Sequence, residues 1–316
     1  MYAYTEFDRQ FLRARAAQFR DQLNRHLAGQ LPEDDFKALR LQNGWYVQRH
    51  APMLRVAVPY GVLSATQLHQ LANIARQHDQ GWGHFTTRQN LQYNWIPLTQ
   101  AADVMDKLAA VDMHGIQTSG NCIRNITADA LAGVSADEIV DSRPFAEVMR
   151  QWSTLHPEFA FLPRKFKIAI SGAAEDRAAI GWHDVGLQLL KNAAGEVGMR
   201  VQVGGGMGRT PIIGTVIREF LPWNQILCYL EAIVRVYNRY GRRDNAYKAR
   251  IKILVKAEGQ KYFDAVEAEF QRVLTDDVGA GLQLIPQAEF DRIAASFARP
   301  AGVVPAADVP APADAP

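Results

Sequence analysis

The sequence predicts an α+β fold made of two successive units, and three observations support this prediction. Strand-like and helix-like segments alternate between residues 53 and 113. Three further strand-like segments precede two long helical segments between residues 165 and 274. The chain has 316 residues, 48% of them hydrophobic, which is enough for two compact domains with cores of their own.

Residues 1–43 are expected to form an N-terminal helical extension. Between residues 6 and 29, apolar side chains recur at helical spacing, and the pattern ends at Gly29. These apolar positions are Phe7, Phe11, Leu12, Phe19, Leu23 and Leu27. Arginines occupy positions between these apolar residues. The sequence therefore predicts an amphipathic helix that packs its apolar face on the body of the protein.

Residues 44–118 are predicted to be a small ferredoxin-like half-domain. A strand at 53–61, broken by Pro59 and Gly61, precedes a helix at 64–79. A strand–turn–strand segment at 83–97 and a second helix at 100–113 follow. Alternation of this kind within a short stretch is typical of a ferredoxin-like α+β sandwich.

Residues 119–278 are predicted to form a larger α/β domain, and residues 279–316 a linker. Strands are expected at 165–171, 179–190 and 196–206, and long helices at 222–241 and 257–274. The segment 299–316 holds five prolines and six alanines without apolar periodicity, a composition typical of a linker.

Composition excludes several classes of protein. The net charge of +2 gives no global basic field, and no aromatic array interleaves the cations, so a nucleic-acid binder is not expected. No apolar run is long enough to span a bilayer, and the N-terminus is not a signal peptide, so a soluble cytoplasmic protein is expected. Cys122 and Cys228 lie too far apart in sequence to indicate a disulfide framework or a paired-cysteine zinc site.

Several short segments combine cations with tight backbone. In LPRKFK (162–167), alternation along a strand would place Lys165 and Lys167 on one face and Phe166 on the other. Two ammonium groups on one face indicate either a solvated strand face or a site that binds an anion. Arg55 and Arg124 each stand between apolar neighbours, where an arginine is commonly snorkelling or paired.

Two further segments have the same two interpretations. In TTRQNLQ (86–92), a regular strand would align Thr86, Arg88, Asn90 and Gln92, as a polar edge or as a wall for a polyanionic ligand. Gly204, Gly205 and Gly206 end a strand but do not match a dinucleotide fingerprint. They indicate a sharp turn, or close approach of backbone N–H groups to an anionic cofactor. The basic segment 242–252 is either a solvated helix or one wall of such a site.

Taken together, these motifs resemble the sirohaem-containing sulfite and nitrite reductases from about residue 40 to residue 275. They are MLR (53–55), TTRQNLQ (86–92), NCIRN (121–125), LPRKFK (162–167), VGGG (203–206) and RRDNAYKAR (242–250). The resemblance implies six-electron reduction of sulfite to sulfide, or of nitrite to ammonia, on a sirohaem bridged to a [4Fe–4S] cluster. Sirohaem is rich in carboxylates, and burying it requires many cationic and amide donors.

The resemblance also implies roles for individual residues. Arg55, Arg124, Lys165 and Lys167 resemble the cations that surround the substrate oxyanion. The residues that resemble ligands of the sirohaem carboxylates are Thr86, Arg88, Asn90, Gln92, Arg164 and, after a small gap, Lys248, with Gly204–Gly206 as the close backbone approach. The second lysine, Lys167, is similar to the sulfite-reducing branch. His84 stands where some relatives have an arginine, and Asn94 stands where some have a histidine, so the pairing with carboxylates at these positions is expected to differ.

The largest departure concerns the iron–sulfur cluster. The family ligates it with four cysteines in two close pairs, whereas this chain has two cysteines, far apart, and offers no metal ligands. The sequence therefore predicts the N-terminal part of a reductase that lacks its C-terminal half and is inactive alone. Ferredoxin or a flavoprotein is the implied electron donor. The alternative is a non-catalytic module that binds sirohaem or an oxyanion.

Overall fold

The computed structural model describes residues 1–275 and 284–298, which form two hydrophobic cores, each built around one sheet. The helices are α1 (Glu6–Leu27), α2 (Glu33–Gln42), α3 (Ala65–His78), α4 (Ala101–Ala109), α5 (Arg143–Ser153), α6 (Ile226–Tyr240), α7 (Ile251–Glu258), α8 (Gln260–Thr275) and α9 (Gln287–Ala295). The strands are β1 (Trp45–Val47), β2 (Pro52–Val56), β3 (His84–Phe85), β4 (Leu91–Tyr93), β5 (Thr127–Ala128), β6 (Ile168–Ser171), β7 (Val185–Lys191), β8 (Val197–Val203) and β9 (Thr215–Pro222). The predicted α+β class is confirmed.

The first core joins the N-terminal helices to the half-domain. Helix α1 begins with a capping box, in which Thr5 and Asp8 each accept the other's backbone N–H, at 3.2 and 2.8 Å. Its buried face carries Phe19, whose ring stacks on Trp45 of β1 with centroids 6.3 Å apart. The helix expected at residues 6–29 is therefore confirmed, and its apolar face forms part of the half-domain core.

The half-domain sheet has the strand order β1-β2-β4-β3 and is antiparallel throughout. Residues 86–90 form the turn between β3 and β4, with Gln89 at a φ of +58°. The expected alignment of Thr86, Arg88, Asn90 and Gln92 along one regular strand face is therefore wrong. Only Gln92 lies in a strand, opposite Arg55 of β2.

The second core surrounds a mixed sheet with the strand order β5-β6-β7-β8-β9. Strands β5, β6 and β7 run parallel, and β8 and β9 continue the sheet antiparallel. Ile168 at the start of β6 pairs with Val185 at the start of β7, which brings the segments preceding both strands to one edge. The candidate site lies at this edge.

Two segments differ from their predicted local structure. The backbone preceding Ile168 is extended, but the strand β6 begins only there, so Lys165 and Lys167 lie just outside it. Residues 242–250 form a loop and not a basic helix, and α7 begins at Ile251. In that loop, the side-chain Oδ1 of Asn245 accepts the backbone N–H of Tyr247 at 3.0 Å, a local turn that competes with helix formation.

The range predicted as a linker contains a packed helix. Helix α9 buries Ile293 completely, and the Phe290 ring lies 4.6 Å from the rings of Phe145 and Trp223. Residues 284–298 are therefore part of the second core, because Phe290, Ile293 and Phe297 recur at helical spacing. The other parts of the predicted linker, 279–283 and 299–316, lie outside the described residues. Across residues 1–275 and 284–298, no helix is both long and apolar enough to cross a bilayer.

Candidate functional site

Arg55 and Arg124 meet at a single backbone carbonyl. The Nη1 atoms of Arg55 and Arg124 lie 3.4 and 2.8 Å from the carbonyl oxygen of Thr118, which accepts from both. Arg124 also donates from Nε and Nη2 to the carbonyl of Gly120, at 3.0 and 2.7 Å. Arg55 donates to Gln92 Oε1 at 3.0 Å. Two guanidinium groups from different domains are thus fixed side by side.

Lys165 and Lys167 reach the same region on either side of a buried ring. Phe166 is fully buried, and its backbone N–H donates to the Cys122 carbonyl at 3.1 Å, while its carbonyl accepts from Arg124 N at 2.8 Å. Alternation in an extended segment would direct both lysines away from the Phe166 side, and this common orientation stays a prediction. Both are half-buried, and within the described chain neither ammonium has a hydrogen-bond or ion-pair partner.

The charges of these groups act on one another. Burial lowers the pKa of Lys165, and the nearby charges of Arg124, Arg164, Arg250 and Arg55 lower it further. Burial also lowers the pKa of Lys167 to about 8, with contributions from Arg88 and Arg250 that Asp184 partly offsets. The backbone contact between Arg124 N and the Phe166 carbonyl, at 2.8 Å, places the two lysine positions next to Arg124, which meets Arg55 at the Thr118 carbonyl. We call Arg55, Arg124, Lys165 and Lys167 the cation cluster.

Asp184 and Arg250 both contact this region, and neither was predicted individually from the sequence. Asp184 is fully buried, and its Oδ1 accepts from Arg250 Nη2 and Nε at 2.7 and 3.1 Å. Its Oδ2 accepts the backbone N–H of Lys167 at 2.8 Å. The available signal was a carboxylate directly before the apolar strand β7, together with a basic segment already recognised as a possible wall of the site.

Three residues of TTRQNLQ connect the half-domain to the second unit, and one of them, Gln89, donates to the Ala128 carbonyl at 2.8 Å and accepts its N–H at 3.1 Å. Arg88 donates from Nη1 to Thr127 Oγ1 at 2.9 Å and from Nη2 to the carbonyls of Asn125 and Ile168, at 2.5 and 3.2 Å. The Oδ1 atom of buried Asn90 accepts from Asn125 Nδ2 at 2.8 Å and from Val58 N at 3.2 Å. These polar groups are therefore largely engaged within the protein, and their contact with a cofactor stays a prediction.

Three other predicted cofactor ligands, Thr86, Arg164 and Lys248, lie in different environments. Thr86 Oγ1 accepts the backbone N–H groups of Arg88 and Asn90, each at 3.2 Å, and so shapes the turn. Arg164, next to Lys165 in sequence, lines a cavity of about 370 Å³ together with Cys122. Lys248 is exposed, and in the described part of the chain no side-chain contact joins it to the cluster.

The glycines end β8 in a tightly packed turn. A Cβ on Gly205 would lie 2.5 Å from the carbonyl oxygens of Gly181 and His183, and Gly204 has a φ of +87°. The N–H groups of Gly204 and Gly206 already donate to the carbonyls of Asp184 and Ile212. The observed close approach is therefore to protein backbone, which matches the sharp-turn interpretation. An approach to an anionic cofactor remains a prediction.

The donor set fits an anionic cofactor but does not fit an iron–sulfur cluster. The Nε atoms of Arg55 and Arg88 are buried without a hydrogen-bond partner, and the two lysine ammonium groups are also unpaired. Such groups can pair with carboxylates. By contrast, Cys122 and Cys228 are the only cysteines of the chain, and the described residues hold no group of three or more His, Cys, Asp or Glu that could bind a metal.

Comparison with models of known protein families identifies the family of this chain. Residues 46–111 match the nitrite/sulfite reductase ferredoxin-like half domain, and residues 119–274 match the nitrite and sulphite reductase 4Fe-4S domain. The chain belongs to the nitrite and sulfite reductase family. The two predicted domain types are confirmed, whereas the predicted boundaries 44–118 and 119–278 stay predictions that enclose the matched ranges.

Curated relatives and a solved structure agree with this family. The chain is 32% identical over 227 residues to sulfite reductase [ferredoxin] 2 of Mycolicibacterium paratuberculosis, covering 71% of this chain and 40% of that protein. It is 30% identical over 235 residues to an assimilatory ferredoxin-dependent nitrite reductase of Haloferax mediterranei, with 69% and 40% covered. The structure of the Mycobacterium tuberculosis NirA protein aligns with a TM-score of 0.74 at 27% identity, covering 80% of this chain and 50% of that one. The chain thus spans about 40% of the length of these curated relatives.

Replacing Lys167 with methionine is expected to stabilise the chain at pH 7 by about 1 kcal/mol. The pKa of this lysine is about 8 in the folded protein, below the reference value of 10.5. At pH values where the lysine is protonated in both the folded and the unfolded state, it therefore favours the unfolded state. Solvent around the half-buried ammonium screens its charge and limits the size of the effect. Wild-type stability should gain from this group as pH rises from about 8 to 10.5, and the variant should lack that gain. Urea denaturation across this range measures both, with exposed Lys256→Met as the control.

Proposed function

We propose that this chain forms the oxyanion-binding and sirohaem-carboxylate-binding part of a reductase that converts sulfite to sulfide. The observation that carries the proposal is the cation cluster, in which two half-buried ammonium groups lack partners beside two fixed guanidinium groups. A half-buried charge without a counterion is costly, so such a cluster is typical of a site completed by an anionic ligand. The names of the similar proteins, sulfite and nitrite reductases, support the same class of anion.

Each residue of the cluster has a distinct part in the proposed reaction. Arg55 and Arg124, whose guanidinium groups are held by backbone carbonyls, orient the oxyanion with little reorganisation. Lys167, with a pKa of about 8, can donate a proton to a departing oxygen near neutral pH and be reprotonated from solvent. Lys165 stabilises negative charge as electrons arrive. When bound, sirohaem would supply the electrons at the substrate atom.

The chain itself does not contain the residues for the iron–sulfur cluster, so the complete reaction requires cysteines from elsewhere. Two close cysteine pairs are needed, and this sequence has two single cysteines. We propose that a further polypeptide region supplies these ligands and that ferredoxin or a flavoprotein delivers the electrons. Sulfite is favoured over nitrite because of the second ammonium at Lys167.

Anaerobic titration of the purified chain tests the proposal. Sirohaem should shift its absorbance on binding, and sulfite should bind to the loaded chain more tightly than nitrite. With reduced methyl viologen as the donor, the chain alone should reduce neither anion. Equal affinity for chloride and sulfite would contradict an oxyanion site. Turnover by the chain alone would contradict the need for further cysteines.

The alternative is a module that binds sirohaem or an oxyanion without catalysis. The lack of paired cysteines in the chain is the observation that favours it. Reading the gene and its neighbours distinguishes the two functions. Two close cysteine pairs in the continuing or an adjacent reading frame support the reductase, and the absence of any such pairs supports the module.

A further inference from the structure

One fully buried carboxylate connects three segments that meet at the cation cluster. Asp184 precedes β7 and accepts, through Oδ2, the backbone N–H of Lys167 at 2.8 Å. Through Oδ1 it accepts both Nη2 and Nε of Arg250, which precedes α7. Its backbone carbonyl accepts the N–H of Gly204 at 3.0 Å. A single residue thus holds the lysine segment, the basic segment and the glycine turn together.

These contacts determine where the lysines point. The bond to Lys167 N fixes the backbone one residue after Phe166, whose ring is fully buried against the Tyr237 ring, 5.5 Å away. With both points fixed, the extended segment has no freedom to rotate, and its two lysine side chains remain on the side opposite the ring. The carboxylate therefore acts on the cluster through the main chain, without touching a ligand of the cluster.

The negative charge of this carboxylate raises the pKa of Lys167, while burial raises the pKa of Asp184 itself. The other charged or titratable groups around this lysine are Arg88 from the β3–β4 turn, Arg250 before α7, Lys165 on its own segment and His183 beside Asp184. Of these, the three cations oppose protonation of Lys167, and Asp184 favours it. Burial and the adjacent cations also lower the pKa of His183 to about 3, so that imidazole is neutral and adds no charge.

We infer that Asp184 is a positioning residue of the oxyanion site, which both orients the Lys165–Lys167 segment and keeps the Lys167 ammonium charged. This inference rests on the proposed function for its ligand but not for its geometry. Asp184 is not a catalytic residue, because its carboxylate contacts only Lys167 N and Arg250 among the described residues.

The test compares Asp184→Asn with Asp129→Asn in the full chain. Asp129 is a matched control, since its side chain is 2% exposed and pairs with Arg177 at 2.9 Å, away from the cluster. Lysine labelled with ¹³C at Cε allows the titration of Lys167 to be followed by NMR, with the signal assigned through Lys167→Arg. Calorimetry with sulfite measures anion affinity in the same samples.

In Asp184→Asn, the Lys167 titration should move down by about one pH unit and sulfite should bind about tenfold more weakly. Asp129→Asn should change neither value, even if it loses comparable thermal stability. An unchanged Lys167 titration in a folded Asp184→Asn protein would overturn the inference. If no variant and not even the wild type binds sulfite, the proposed function fails, whereas the titration still decides the role of Asp184.

A second variant covers the case in which Asp184→Asn does not fold. Asp184→Glu keeps the charge but lengthens the side chain by one methylene, so it moves the Lys167 backbone. The Lys167 titration should stay close to the wild-type value while sulfite affinity falls several-fold. Wild-type affinity in this variant would show that the position of the carboxylate is irrelevant, against the inference.

Discussion

Sulfite binding should fall by at least about a hundredfold when Lys165 and Lys167 are both replaced by methionine. A hydrogen bond to a charged group contributes about 1.5–3 kcal/mol. The two ammonium groups have no partner in the described part of the chain, so both are available to bind the anion. Methionine keeps most of the apolar stem, so the segment around buried Phe166 should remain in place. Isothermal calorimetry at pH 7 and low salt measures the loss.

The matched control for this experiment is Lys256→Met with Lys261→Met. Both lysines are exposed and belong to α7 and α8 of the same unit, so the control removes the same net charge. It should lower sulfite affinity less than about twofold, because exposed charges at a distance are screened by salt. Equal losses in the two double variants would show that net charge, and not the cluster, attracts the anion.

Replacing Glu147 with leucine is expected to lower the free energy of unfolding by about 3–5 kcal/mol. Glu147 is fully buried in α5 and accepts from Arg150 Nε and Nη2 at 2.8 and 2.6 Å. It also accepts from the hydroxyl of Tyr60 at 3.0 Å. Removal of the carboxylate leaves the Arg150 charge buried without a carboxylate partner, which is the costly half of breaking a buried ion pair. Chemical denaturation followed by circular dichroism measures the change.

Two further variants serve as controls for Glu147→Leu. Glu175→Leu removes a carboxylate that is 74% exposed and pairs with Arg177 at 3.1 Å, and it should change stability by less than about 1 kcal/mol. Adding Arg150→Met to Glu147→Leu should recover part of the loss, because the stranded charge is removed. A loss below about 1 kcal/mol in Glu147→Leu itself would mean that water compensates Arg150.

Local sequence patterns predicted the elements whose one face is apolar. Helices α3 and α6 and strands β7 and β8 were expected from alternation or helical spacing, and they are present. Helix α5 was not expected, because Glu147 and Arg150 interrupt its apolar pattern although both are buried as a pair. Strand β9 was missed because it is an edge strand with several exposed positions and no continuous apolar run.

The candidate site, like the fold, was predicted from the sequence only in part. The cations of the cluster were named from the sequence, since each stands in a short motif with tight or apolar neighbours. Asp184 was not named, because a single carboxylate has no local pattern and its partners, Lys167 and Arg250, lie 17 and 66 residues away. The assumed regular strand at 86–92 failed because the chain turns there, with Gln89 in the left-handed region.

The sequence by itself determined the class of fold, the family and the list of positively charged residues available for an anion. These properties follow from side-chain periodicity and residue type, which are local. Only the tertiary structure decided which of those cations meet, since Arg55 and Arg124 share one carbonyl while Lys248 remains exposed. It also decided which polar atoms are already satisfied, as with Asn90 Oδ1 and the two Nη atoms of Arg88, because hydrogen-bond partners in a folded chain come from segments distant in sequence.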